Sequence, residues 1–119
     1  MSILFYEYAA CSTCKNAKTW LRNHGIDIPV IPIVERPPSA AELKKFHRAS
    51  GLPIKKFFNT SGLSYRALSE NQKPDRLSDD ECYALLARDG KLIKRPILVD
   101  GTQVLVGFSE SVYAAHFRQ

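Results

Sequence analysis

Two cysteines three residues apart, Cys11 and Cys14, sit where one backbone pattern ends and another begins. Ile3 to Tyr8 is a short run of aliphatic and aromatic residues and reads as a strand. From Ser12 to His24 the period becomes helical. Ala17, Trp20 and Leu21 fall on one face, with Lys15, Lys18 and Arg22 free to face water. Ser12 or Thr13 is placed to cap the start of that helix, and Gly25 to end it. The junction puts Cys11 at a helix N-terminus. Unpaired N–H groups and the positive end of the helix dipole favour a thiolate there. Cys14 lies one turn further on, on the same face.

A thiolate attacks disulfides, and a second thiol within reach resolves the mixed disulfide that forms. The spacing therefore predicts Cys11 as nucleophile and Cys14 as resolving cysteine, with a disulfide substrate or a thiol reductant as partner. Two other readings compete. Half a zinc site needs a second ligand pair; Cys82, His24, His47 and His116 have no ligand spacing, so no metal is expected. Two buried structural cysteines are the stronger competitor, and the strand-to-helix placement weighs against them. Cys82 falls in a later helical pattern near Leu85 and Leu86, as a core or surface thiol. Trp20 reads as a core residue.

Three cysteines in 119 residues do not make a secreted disulfide framework. The first ten residues lack a basic start, and Glu7 interrupts their apolar run, which makes a poor signal peptide. No apolar stretch approaches the roughly 18 residues of a membrane span. A cytoplasmic protein is expected, where a close cysteine pair signals catalysis, sensing or metal more often than a structural bridge. The net charge of +5 permits an anionic partner without demanding one. No run of five like charges occurs, and neither a direct nucleic-acid partner nor a membrane is expected.

Asp27 to Val34 reads as a second strand. Its prolines, Pro29 and Pro32, cannot donate to a ladder, so it belongs at an edge. Ser39 with Glu42 opens a helix to about Ser50, closed by Gly51. Pro53 starts a short helix over Ile54 to Phe58, and Asn59-Thr60-Ser61-Gly62 is a loop. Ser78 with Glu81 opens a helix to about Asp89 that stops at Gly90. Pro96 to Val99 and Gln103 to Val106, joined at Asp100-Gly101, read as a hairpin, and Ser109 caps a last helix to about Phe117.

This order predicts an α/β fold: a thioredoxin-like core, with a mixed four-stranded sheet and flanking helices. It forms one domain over residues 1–119, with an all-helical insertion from about 36 to 91. Lys94-Arg95-Pro96-Ile97 falls just before the hairpin. A proline at a strand start can be cis. In such a fold this loop lies beside the cysteines, and Arg95 could stabilise a thiolate or hold an anion through its planar fork.

Four segments, Cys11-Ser12-Thr13-Cys14-Lys15 with Ala17 to Leu21, Phe57 to Gly62, Lys94 to Ile97, and Val106-Gly107-Phe108, resemble the arsenate reductase (ArsC)/Spx family over nearly the whole chain. The resemblance implies a thioredoxin-like fold with a helical insertion. It implies Cys11 and Arg95 as catalytic positions, with Cys14 beside them. Ser12, Thr13 and Pro96 are the candidates for contact with substrate. The family's arsenate reductases use a cysteine at the Cys11 position, draw on glutathione and glutaredoxin, and bind the oxyanion with three arginines. Arg95 matches one. The other two positions carry Phe58-Asn59-Thr60 and Gly107-Phe108, so most bidentate recognition of arsenate is missing. The Spx branch implies a redox switch that binds the C-terminal domain of the RNA polymerase alpha subunit. The expected reading is a thiol-disulfide redox protein with no bound cofactor. Glutathione, thioredoxin or glutaredoxin would serve as external reductant, and an Spx-like regulator is the alternative.

Overall fold

A computed structural model describes residues 3–118. Four strands form one mixed sheet in the order β2-β1-β3-β4: β1 (Ile3–Glu7), β2 (Val30–Pro32), β3 (Ile97–Asp100) and β4 (Gln103–Val106). β1 runs parallel to β2 and antiparallel to β3, with Tyr6 opposite both Ile31 and Ile97. β3 and β4 form the hairpin, Ile97 opposite Val106, turning at Gly101 in the left-handed region.

Strand alternation divides the core. Phe5 and Leu98 point to one face, against Ala17, Trp20 and Leu21 of α1 (Ser12–Asn23) and Tyr113 of α5 (Glu110–Phe117). Tyr6, Ile97 and Val99 point to the other, against α2 (Ala40–Ser50) and α4 (Asp79–Arg88), which contribute Leu43, Phe46, Tyr83 and Leu86. Cys82 is fully buried on that second face. Between β2 and β3 the described backbone carries α2, α4, the four-residue helix α3 (Leu63–Arg66) and four short 3-10 turns. One isolated antiparallel bridge, Phe58 to Ile93, ties the middle of this segment to its last residues before β3.

Both capping boxes form as the spacing predicts. Ser39 accepts from the Glu42 amide while Glu42 reaches back to Ser39, and Ser78 and Glu81 do the same. Other local readings are corrected. The second strand shrinks to three residues at the sheet edge, because Pro29 and Pro32 lack the donors to extend it. Neither Ser12 nor Thr13 caps α1; they lie inside its first turn, and the N-cap is Cys11. Ser109 stands at the N-cap of α5, but its hydroxyl pairs with Ser111 and leaves the backbone uncapped.

Gly90 does not terminate α4 through a left-handed turn. α4 ends a residue earlier, at a cap on Asp89, and the Asp89 carboxylate accepts from the Lys91 amide to start a 3-10 turn over Gly90–Leu92. The glycine is required by proximity. A Cβ there would collide with the carbonyl oxygen of Ile33, on the chain leaving β2. Gly25 differs: its φ is +72° and nothing lies within 4 Å of a Cβ. Gly90→Ala is therefore expected to cost about 3 kcal/mol through backbone displacement, and Gly25→Ala about 1 kcal/mol through strain alone. Urea unfolding of the two variants checks this, and equal losses would refute the close-approach account.

Candidate functional site

The turn from β1 into α1 is laced by its own sulfurs. The Cys11 amide donates to the Tyr8 carbonyl at 2.9 Å, and the Tyr8 amide donates to Cys14 Sγ at 3.5 Å. The Cys14 amide in turn donates to Cys11 Sγ at 3.4 Å. Cys11 thus occupies the position usually held by Ser, Thr or Asp, with sulfur as the capping acceptor. Its thiol is half-buried, whereas Cys14 is fully enclosed.

The two thiols are pushed apart electrostatically. Burial raises Cys11, but the hydrogen bonds from the Cys14 amide and thiol, with those and the charge of Arg95, outweigh it and hold Cys11 below the ordinary thiol value. Burial raises Cys14 to about 12; the Tyr8 amide opposes this, while Cys11 and the carboxylate of Glu7 add to it. Cys82 is pushed up to about 11, first by burial and then by Asp79 and Glu81. Cys11 is therefore the thiol poised to ionise.

Arg95 reaches the site from a loop closed by a cis Arg95–Pro96 peptide. Its guanidinium donates to the carbonyls of Lys91 (3.1 Å) and Ile93 (3.4 Å), and lies 4.8 Å from the centre of the Tyr8 ring. Those three anchors hold the cation close enough to Cys11 to lower its pKa. The Pro96 carbonyl accepts from the Gly107 amide at 2.8 Å, which joins the loop to the end of β4.

The predicted residues Cys11, Cys14 and Arg95 thus come together around one turn, and Pro96 follows Arg95 across the cis bond. Ser12, exposed, and Thr13, half-buried, occupy the first two helical positions beside Cys11. Lys18 does not simply face water: its ammonium pairs with Glu7 at 2.8 Å, and both side chains are largely covered. Sequence reasoning missed Tyr8 and Glu7. Their signal was the position of an aromatic and an acid at the end of the strand leading into Cys11. Cys82 lies across the sheet from α1, in the other core cluster. Among the described residues, no group of three or more His, Cys, Asp or Glu side chains could hold a metal, and no helix is long and apolar enough to cross a membrane.

If Arg95 favours the Cys11 thiolate, its removal raises the thiol pKa. Fewer thiolates then exist near neutral pH. Arg95→Ala is expected to slow Cys11 alkylation by iodoacetamide several-fold near pH 7 and to move the pH–rate curve to higher pH. Tyr8→Leu, which removes the stacking platform, shifts the curve the same way but less. Cys14 stays unlabelled across pH 7–9 because its thiol ionises only near pH 12. Superimposable curves for wild type and Arg95→Ala would remove Arg95 from the site.

Known proteins share this arrangement of chain and fold. A model of the ArsC family matches residues 6–116. The uncharacterized protein YusI of Bacillus subtilis is 52% identical over 113 residues, covering 95% of this chain and 96% of its own. The global transcriptional regulator Spx 2 of Bacillus cereus is 31% identical over 108 residues, covering 91% and 81%. The solved structure of an ArsC family related protein from Bacteroides fragilis superposes with a TM-score of 0.91 at 45% identity, covering 97% of each chain. By its sequence and by its thioredoxin-like fold, the chain belongs to the ArsC family.

Proposed function

We propose that the protein carries out thiol-disulfide exchange, with Cys11 as nucleophile and Cys14 as resolving thiol. The observation that carries this reading is the unlike setting of two sulfurs on one turn: Cys11 half-buried at the helix N-cap, with the Cys14 amide and Arg95 favouring its thiolate, and Cys14 fully enclosed, with burial favouring its thiol. The Cys11 thiolate attacks one sulfur of a substrate disulfide. A Cys11–substrate bond forms and the other substrate half leaves as a thiolate. Cys14 then loses its proton and attacks Cys11 Sγ. The Cys11–Cys14 disulfide forms and the second substrate half departs as a thiolate. Two electrons have passed to the substrate, and an external thiol, glutathione or a thioredoxin or glutaredoxin, returns them. Arg95 stabilises the attacking charge, while Ser12, Thr13 and Pro96 border the approach to Cys11.

Arsenate is a poor candidate substrate. Arg95 alone is present of the three arginines expected for that oxyanion; Phe58-Asn59-Thr60 and Gly107-Phe108 occupy the other places. Gly107 has a φ of +79°, and a Cβ there would lie 3.6 Å from Cε of Lys94, so an arginine at that position would be strained and in contact with this side chain.

In Cys14→Ser, the first attack proceeds but the adduct cannot be resolved. Incubated with an aromatic disulfide and analysed by intact mass, this variant is expected to accumulate a stable mixed disulfide on Cys11, whereas wild type proceeds to the oxidised, adduct-free form. Equal adduct lifetimes in both proteins would contradict the assignment of Cys14.

The relation to Spx 2 supports a second reading, in which the same dithiol switches binding to RNA polymerase, at the C-terminal domain of its alpha subunit. Pull-down of purified polymerase is then expected to differ by tenfold or more between reduced and oxidised protein. Equal or absent capture in both states leaves the exchange reaction as the function.

A further inference from the structure

Resolution by Cys14 requires that its proton leave an enclosed site, and the groups around it differ sharply in their ability to accept one. The Tyr8 amide already donates to Cys14 Sγ. Lys18 and Arg95 are cations without an acceptor atom. The Tyr113 hydroxyl is buried without a partner and is close enough for the Cys14 charge to act on it; burial first, and then that charge, push its ionisation far up, so it stays a neutral phenol. The three histidines are engaged elsewhere: His24 with the Trp20 carbonyl, His47 with Tyr83, and His116 with Asp100 and Gln103. Glu7 remains.

Its placement follows from the backbone. Glu7 ends β1 and alternates onto the same sheet face as Phe5, beneath α1. Lys18 stands four residues after Cys14 on α1, so the two project from one face of the helix. The 2.8 Å ion pair between Glu7 and Lys18 therefore fixes the carboxylate under the buried half of the dithiol, where its charge is felt by Cys14. The carboxylate is largely covered, and the charge pairing holds it in place without consuming all its acceptor sites.

We propose that Glu7 is the proton acceptor for Cys14 in the resolving step, positioned by Lys18; this rests on the exchange reaction proposed above. In the mixed disulfide the Cys11 thiolate is gone, and with it one of the charges opposing ionisation of Cys14. As Cys14 Sγ bonds to Cys11 Sγ and the substrate thiolate departs, the proton passes from Cys14 to the Glu7 carboxylate, directly or across one water. The leaving thiolate or solvent later takes it up.

A base and a spectator charge predict opposite signs for Glu7→Gln. A spectator carboxylate only raises Cys14, so its removal eases ionisation and speeds resolution. A proton acceptor slows resolution when removed. A chromogenic aromatic disulfide, mixed with the full-length protein in a stopped-flow instrument, releases one coloured thiolate on attack by Cys11 and a second on resolution by Cys14. In Glu7→Gln the first release is expected to stay within about twofold of wild type, and the second to slow roughly tenfold or more. A second release equal to or faster than wild type overturns the proposal. If Glu7→Gln lowers both phases together, Glu7→Asp against Glu7→Asn is the deciding pair, alike in size and differing in the carboxylate. The ratio of second to first release is higher in Glu7→Asp if the proposal holds, and equal or lower if it does not. Failure of the underlying exchange reading would look different, since wild type itself would then lack the first or the second release.

Discussion

The site depends on a seven-residue turn in which sulfur replaces oxygen as the capping atom. Tyr8 and Cys14 are bound through an amide and a thiol, Cys14 and Cys11 through another such pair, and the Cys11 amide closes back on the Tyr8 carbonyl. The start of α1 is satisfied by the same atom that we propose as the nucleophile. An oxygen cap would stabilise the helix equally well, but only a thiolate gains both reactivity and stability from the unpaired amides. The enclosed partner follows from the same turn: one helical step carries Cys14 beneath the helix, where burial keeps it a thiol that donates to its neighbour.

The two faces of the sheet contribute different parts. The α1–α5 face carries the dithiol with Glu7 and Lys18 beneath it. The opposite face, built with the helices between β2 and β3, controls Arg95. The Lys94 amide donates to the Phe57 carbonyl and the Asn59 amide to the Leu92 carbonyl, each at 2.8 Å. These bonds and the Phe58–Ile93 bridge fix the strand of chain whose carbonyls, at Lys91 and Ile93, hold the guanidinium. The helical segment thus does more than cover the sheet. It sets the height of the cation above the turn, and Tyr8, projecting from the end of β1, meets it from the other side.

Features governed by a few consecutive residues were legible in the sequence. The Ser39/Glu42 and Ser78/Glu81 boxes form because each is a local reciprocal pair. Pro29 and Pro32 forced β2 to an edge, and the Cys11–Cys14 spacing located the dithiol at a helix start. The long-range consequences were not legible. Gly90 looks like a helix stop in the one-dimensional pattern, yet its need is set by Ile33, brought close only by the fold. Lys18 looks like a solvated helix residue until β1 delivers Glu7 beneath it. The hydroxyls of Ser12 and Thr13 are better capping groups than a thiol by type, but the chain enters its first turn one residue earlier and hands the cap to Cys11.

The central claim is that Cys11 and Cys14 form one two-electron redox couple while Cys82 stands apart. Equilibration of the reduced protein in glutathione buffers of graded potential, followed by acid quenching and peptide mass mapping, tests it most directly. The account predicts a single transition with two-electron slope that yields only the Cys11–Cys14 disulfide, with Cys82 reduced throughout. A stable glutathione adduct on Cys11 with no intramolecular disulfide, or a disulfide that includes Cys82, would contradict it.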